Sequence, residues 1–455
     1  KSRLLDKFLP DYRPTDLRQQ VSHEGLALLD AIDSHLEARL CQRKQGVAWV
    51  LEQLADSLAI DRSAAHAVVQ EYSMVVGATC QQAAGRQMAN LKEVSGLDST
   101  DIEFDTVVID EAARANPLDL FVPMAMAKRR VVLVGDDRQL PHMLEPDIEG
   151  QLQEEHQLTE LQLVAFRSSL FERMRIQLQE LEKKDNIRRV VMLDTQFRMH
   201  PLLGDFVSQQ FYESVGLGQI KSVRCADDFA FSEPFLAALG SHESYYRDRI
   251  CQWIDVPTLK GDDQRRGTSR LREAEALRVA EEVVSLLTAG GESLSVGVIS
   301  FYAAQRDLIM EKLSEQRIEG VPLMELRDGS YEIHEHFRWA RKVRADGSIN
   351  LEERLRVGSV DAFQGKEFDV VLLSCVRTYK PAKPVQDAAE REKRLNGQFG
   401  FLRLPNRMNV AMSRQRQMLI CVGDAALATA PEAHEAVPAL AAFHQMCGGA
   451  HGCIR

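Results

Sequence analysis

Two adjacent carboxylates, Asp110 and Glu111, follow the apolar run Val107-Val108-Ile109. A buried strand that ends in such a pair can do chemistry: one carboxylate can hold Mg²⁺ through water while the other orients an attacking water. Taken alone, Asp-Glu also fits an acidic helix start after a strand. A second apolar run, Val131-Val132-Leu133-Val134, leads into Gly135-Asp136-Asp137-Arg138-Gln139-Leu140-Pro141. A glutamine so placed, Gln139, can sense a γ-phosphate in the neighbouring cleft.

For these loops to meet, the runs before them must be strands of a sheet. The same texture recurs at Val190-Val191-Met192-Leu193 before Asp194, at Val296-Gly297-Val298-Ile299, at Val370-Val371-Leu372-Leu373 and at Leu419-Ile420-Cys421-Val422. Short β-branched runs separated by helical stretches predict βαβ units and parallel sheets buried on both faces. In open sheets of that kind ligands bind beyond the carboxyl ends of strands, where these polar residues fall. A variable stretch, about residues 215 to 290, separates two groups of strands, so the fold expected is α/β with two lobes. Residues 1–75 carry apolar positions at helical spacing, clearest at 25–32 and 47–54, and read as a helical stalk. Residues 320–356 are charged and polar, with Gly347 as a turn point. They read as a solvated insertion between strands, with a basic patch touching a nucleic-acid backbone as the alternative.

The bulk numbers bound the rest. The chain has 455 residues, 45% hydrophobic, which is enough for two or three packed domains. No apolar run approaches a membrane span. The net charge of −11 excludes a generally basic nucleic-acid binder, so any strand contact must be local. Eight cysteines are scattered without a Cys-x-x-Cys pair, and Cys80, Cys375 and Cys421 sit in apolar or motif surroundings. Free thiols there behave as small hydrophobes, and a reducing cytoplasm is expected. His444, Cys447, His451 and Cys453 are zinc-ligand types at cramped spacing beside Gly448 and Gly449, and read as a frayed tail with a metal site as the alternative. The opening Lys1-Ser2-Arg3, with no Met and no apolar leader, suggests a piece of a longer polypeptide.

The series continues at Leu193-Asp194-Thr195-Gln196-Phe197-Arg198-Met199-His200-Pro201, Phe211-Tyr212-Glu213 and Ser300-Phe301-Tyr302-Ala303-Ala304-Gln305. It is strongest at Val357-Gly358-Ser359-Val360-Asp361-Ala362-Phe363-Gln364-Gly365-Lys366-Glu367 and at Asn406-Arg407-Met408-Asn409-Val410-Ala411-Met412-Ser413-Arg414. In this order the blocks resemble the superfamily 1 helicases of the branch that includes the nonsense-mediated-decay helicase and related tRNA-splicing and replication helicases. The resemblance spans residues 76–424. It implies two RecA-like lobes: a stalk insertion over 1–75, the C-terminal part of the first lobe over 76–185, the second lobe with insertions over 186–430, and a tail over 431–455.

The resemblance also implies roles. Asp110 would bind Mg²⁺ and Glu111 would be the hydrolytic base; Gln139 would couple the γ-phosphate to the strand. Arg198 and Arg414 would reach that phosphate from the second lobe, where a planar, permanently charged fork suits phosphate oxygens. Gln364, Gly365 and Glu367 would lie by the ATP. Thr79 and Cys80, with Tyr302, Gln305, Ser359, Val360 and Asp361, would line the groove for single-stranded RNA or DNA, positioning it without reading sequence. The activity implied is an ATP-dependent helicase or translocase moving 5′ to 3′, with room for other protein subunits and none for a membrane. The rivals are a nucleotide-gated nucleic-acid clamp and a motor arm of a larger nuclease or defence assembly.

Arg114 and His142 depart from the family pattern, where Gln and a second Pro are usual. No G-x-x-x-x-G-K-[ST] phosphate loop occurs in the 455 residues. Lacking that cradle, residues 1–455 by themselves are expected not to hydrolyse ATP. Robust strand-stimulated phosphate release from this chain alone would overturn that expectation.

Overall fold

A computed structural model describes residues 23–43, 51, 55–56, 73–86, 88–89, 104–140, 169–344, 346–381 and 387–455. His142 lies outside them. The chain forms two compact units, Lys1–Glu103 and Phe104–Arg455. The first contains the long helix α1 (His23–Arg43), in keeping with the helical periodicity there. It also holds a single turn, Cys80–Ala83, opened by a capping box in which Thr79 and Gln82 satisfy each other's backbone N–H groups.

In the second unit, β1 (Phe104–Ile109) and β2 (Ala127–Leu133) pair in parallel across the crossover helix α2 (Pro117–Met124). Asn116 caps α2 and Pro117 opens it, the usual helix-start chemistry. Next come α3 (Leu170–Asp185) and α4 (Pro201–Phe211), the latter burying Leu203, Phe206, Val207 and Phe211 on one face. The main sheet follows, built from β3 (Cys251–Asp255), β4 (Val296–Ser300), β5 (Leu355–Ser359), β6 (Phe368–Ser374), β7 (Gln415–Gly423) and β8 (Gly452–Ile454). Its order is β5-β4-β6-β7-β3-β8, and every neighbouring pair is parallel. The helices α5 (Glu273–Gly290), α6 (Ala303–Ser314), α7 (Ala388–Phe399), α8 (Pro405–Ala411) and α9 (Pro438–Cys447) accompany it.

Strand alternation explains the unbroken apolar runs. Val370 and Leu372 of β6 enter one core with Val279, Val283 and Leu286 of α5. Val371 and Leu373 enter the other with Met408 and Val410 of α8 and Phe443 of α9. All seven residues of β6 are buried because both faces are covered. Each such side chain is worth about 1.5–3 kcal/mol relative to exposure.

Several expectations need correction. Val190–Leu193 joins no sheet among the described residues, and Val191 and Leu193 are 62% and 78% exposed. A β-branched run becomes a strand only where a neighbour offers its edge, and β1 and β2 pair only with each other. The stretch 215–290 is not merely a spacer, since it supplies β3 and α5 to the main sheet. The C-terminal residues are not frayed: α9 buries Phe443 and Cys447, and β8 closes one sheet edge against β3. His444 lies edge-on to Trp253 at 5.0 Å, and no group of three or more potential metal ligands gathers among the described residues. The insertion forms hairpins at 317–322, 324–333 and 339–353, the last turning at Gly347. No described helix is long and apolar enough to cross a membrane.

Gly297 of β4 shows how closely these layers meet. A Cβ there would lie 2.8 Å from the rings of both Phe363 and Phe368. Gly297→Ala is expected to destabilise the protein by about 1–3 kcal/mol, read as a lower urea midpoint at unchanged slope. An unmoved midpoint would mean that the two rings can step aside.

Candidate active site

Asp110 and Glu111 leave β1 with both carboxylates exposed. The turn is tight: Asp110 Oδ1 accepts the Glu111 N–H at 2.9 Å, and Glu111 takes a left-handed φ of +52°. That conformation is strained for a non-glycine residue, and the surroundings must hold it. They do so through β2, because Val134 N donates to the Ile109 carbonyl and Ala112 N to the Val134 carbonyl, at 2.8 and 2.9 Å. Gly135 completes the interlock. A Cβ on it would fall 2.8 Å from Ala113 N, so only glycine lets the two loops close on one another.

From Gly135 onward the second loop is held from two sides. On one, Asp137 pairs with Arg175 at 2.8 Å and Arg138 with Glu172 at 3.1 Å, both partners on α3. On the other, α8 supplies two amides one helical turn apart. Asn406 donates to the Gln139 carbonyl at 2.8 Å, and Asn409 donates to the Arg138 carbonyl at 3.0 Å and to the Tyr212 hydroxyl at 3.2 Å. Tyr212 in turn donates to Asp136 Oδ2 at 2.5 Å, and Gln139 Nε2 reaches the same oxygen at 2.8 Å. Burial, with the Asp136 carboxylate beside it, pushes the Tyr212 phenol well above its ordinary range, so it acts as a fixed donor.

Gln139 presents its amide oxygen to Arg414 Nη2 at 2.5 Å. Arg414 stands between α8 and β7, 2% exposed, with Nε donating to the Val410 carbonyl at 3.1 Å. Burial, helped by the nearby Arg198, lowers its pKa to about 10; Glu111, Tyr212 and Asp136 act in the opposite sense. It is therefore still charged at neutral pH. Among the described residues, no carboxylate lies within 4.0 Å of its guanidinium nitrogens.

The segment between β5 and β6 closes the arrangement. Gln364 Nε2 donates to Glu111 Oε2 at 2.9 Å, while its Oε1 is buried with no protein partner. Gly365 turns at φ +73° with open space where a side chain would stand. Glu367 Oε2 accepts Arg198 Nε at 2.8 Å, and Arg198 Nη1 reaches the Ser413 carbonyl at 3.1 Å. Burial alone would raise the Glu367 pKa, but the Arg198 and Arg416 guanidiniums bring it below the ordinary value.

Asp110 and Glu111 thus meet Gln364 beside Gly365, Gln139 meets Arg414, and Arg198 meets Glu367, with Arg198 and Glu111 near enough to Arg414 to act on its charge. Two guanidiniums suit the oxygens of a triphosphate. A single exposed carboxylate suits Mg²⁺, which keeps most of its waters and shares phosphate oxygens. The orphaned Gln364 oxygen is an acceptor awaiting a donor. Asp136, Tyr212, Asn406 and Asn409 were missed as working residues. The i, i+3 spacing of the two asparagines was a signal that they share a helix face.

The expected strand contacts divide differently. Thr79 and Cys80 belong to the first unit. Tyr302 is 4% exposed, packed on Phe401 with its hydroxyl accepting the Phe401 N–H at 3.3 Å. Gln305 is enclosed, accepting Arg272 N–H at 2.7 Å and donating to Ser374 at 3.1 Å. Val360 is buried as well. The side chains of these three are interior and do not line an open groove. Ser359 and Asp361 remain half-buried at the surface, with Asp361 3.5 Å from Arg407.

Two family profiles, each described as an AAA domain, match residues 166–426 and 19–144. The chain is similar to the ATP-dependent helicase NAM7 of Saccharomyces cerevisiae, 28% identical over 335 residues that cover 72% of this chain and 26% of that protein. It is also similar to the regulator of nonsense transcripts 1 homolog of Arabidopsis thaliana, 27% identical, covering 77% and 21%. A third relative is the helicase sen1 of Schizosaccharomyces pombe, 26% identical, covering 71% and 15%. The chain spans about a quarter or less of the length of these curated relatives. With one profile matching more than half of its residues, the chain belongs to the AAA-domain family, and it is similar in sequence to helicases of the nonsense-mediated-decay type.

Proposed function

We propose that the protein containing this chain is an ATP-dependent helicase or translocase on single-stranded nucleic acid, hydrolysing ATP between two RecA-like lobes. The observation that carries this reading is Arg414, a charged guanidinium 2% exposed with an amide and a carbonyl oxygen as its hydrogen-bond partners. Enclosing a cation without a counter-ion is expensive. A phosphate delivered to that place would supply the missing charge.

The residues then divide the work. Glu111 accepts the proton of the attacking water at a carboxylate oxygen, one of which now holds Gln364. Asp110 would hold Mg²⁺, which when bound neutralises charge on the phosphate oxygens. Gln139 touches Arg414 and Asp136 at once, so it can report phosphate occupancy from one loop to the other. Arg198 and Arg414 stabilise the charge that develops on the transferred phosphoryl group. On the strand side, Ser359 and Asp361 are the accessible candidates of the second unit, and Thr79 and Cys80 are those of the first. The free thiols fit work in a reducing cytoplasm.

Glu111→Gln in the complete protein is expected to keep ATP and strand binding while lowering turnover ~10²–10⁴-fold, as loss of a general base does. Unchanged strand-stimulated kcat would sink that assignment. Arg414→Ala should lower kcat ~10³–10⁵-fold and leave strand affinity in the absence of nucleotide nearly intact. Arg414→Lys should recover little, because a point charge cannot reproduce the planar fork. Lost strand binding with normal hydrolysis would place Arg414 in the strand groove instead. Binding of ATP and strand without any turnover in the unsubstituted protein would favour the clamp.

A further inference from the structure

The hairpin Trp339–Val343/Ile349–Glu353 lies outside the machinery assigned above, yet its inner face is joined to it. Ala340 faces Glu352 and Lys342 faces Asn350 across the pair, so by strand alternation these four share a face. The other face carries Trp339, Val343, Ile349 and Leu351, all exposed. Inward, Ala340 is buried and Lys342 pairs with Asp369. Glu352 Oε2 accepts Arg416 Nη2 at 2.7 Å.

Arg416 serves three carboxylates at once. Besides Glu352 it donates from Nε to Glu367 Oε1 at 3.1 Å and from Nη1 to Asp369 Oδ1 at 3.3 Å. Asp369 is fixed by Ser295, whose N–H and hydroxyl reach its Oδ2 at 2.8 and 2.9 Å. Glu367 spends its second oxygen on Arg198. A continuous chain of charge-assisted bonds therefore runs Glu352–Arg416–Glu367–Arg198. Lys342, Arg416 and Arg198 balance Glu352, Glu367 and Asp369. Without Glu352, Arg416 would be left to Glu367 and Asp369 and would draw Glu367 away from Arg198.

We propose that Glu352 and Arg416 are positioning residues through which the hairpin sets Arg198, tuning nucleotide turnover without touching the nucleotide. This rests on the assignment of Arg198 to the ATP cleft. The test is a double-mutant cycle in the complete protein, with strand-stimulated ATPase measured at saturating strand. Glu352→Gln, which keeps shape and removes charge, should lower kcat about tenfold with KM for ATP and melting temperature little changed. In an Arg198→Lys background the same substitution should cost no more than about twofold, because the end of the relay is already altered. Equal losses in both backgrounds, or a loss that tracks a fall in melting temperature, would make Glu352 a structural brace and overturn the proposal. So would full kcat in Glu352→Gln. Absence of turnover in the unsubstituted protein would instead sink the functional reading, and the wild-type control tells the two failures apart.

Discussion

Arg414 sits between α8 and β7 with the Val410 carbonyl and the Gln139 amide oxygen as partners. Desolvation is the largest influence on it, and it still carries its charge. Among the described residues, the enclosed Arg272 and Arg377 are paired, with Glu275 and Asp263, whereas Arg354 bonds only to backbone carbonyls. The Arg414 contact fixes the placement of everything around it. Gln139 must be held with its oxygen outward, so Asp136 takes its amide nitrogens' side, Tyr212 takes Asp136, and Asn409 takes Tyr212. Removing any one member would leave a buried polar group unpaired, at a cost of about 1–3 kcal/mol. The chain of bonds runs unbroken from Arg414 to Asn409, whose amide nitrogen is used twice while its Oδ1 is left without a protein partner.

The loops that carry it are set by backbone rather than by side chains. The left-handed Glu111 and the Cβ-free Gly135 are two halves of one close approach. Strain stored at Glu111 persists because β1 and β2 over-determine the turn through the Ile109 and Val134 carbonyls. A carboxylate held in this way does not wander with its loop, which would matter for the catalytic role proposed for Glu111, since a misplacement of about 1 Å can cost two orders of magnitude in rate.

Much of this was legible in the residues. Apolar runs located β1, β2, β4, β6 and β7; in β4, β6 and β7 they are unbroken because a strand buried on both faces has no polar alternation. The motif blocks named Glu111 and Gln364, and Gln139 and Arg414, which the structure places in hydrogen-bond contact pair by pair. What was not legible depends on partners distant in sequence. β3 reads Cys251-Gln252-Trp253-Ile254-Asp255, and its buried Gln252 breaks the apolar signal; that amide is satisfied by the Tyr245 carbonyl, which no local pattern announces. β8 has three residues and exists only because β3 offers an edge. Val190–Leu193 carries the stronger strand signal yet pairs with nothing described. The resemblance placed Tyr302 and Gln305 in the strand groove, whereas they are buried against Phe401 and Arg272, which lie far from them in the chain.

The parallel order of the main sheet gives it two chemically distinct ends. At the amino ends of β5, β6 and β7 lie the charged groups Glu352, Glu367, Asp369, Arg414 and Arg416. At the carboxyl ends lie Ser300, Ser359 and Ser374, with Gln305 and Glu275 enclosed behind them. Burial pushes Glu275 up to about 7, against the opposing effects of Ser374, Arg272 and the Val376 amide. Its Oε1 receives both Ser374 and Val376, and Val376 is held at φ +67°, a conformation β-branched residues avoid. The two ends are separated by the length of β6, about 20 Å at the rise of an extended strand. All seven residues between them are buried in close-packed cores that do not deform smoothly. Close-packed strands of this kind carry a displacement at the charged end toward the hydroxyl-lined end with little loss, the property that the proposed coupling of phosphate occupancy to strand movement would need.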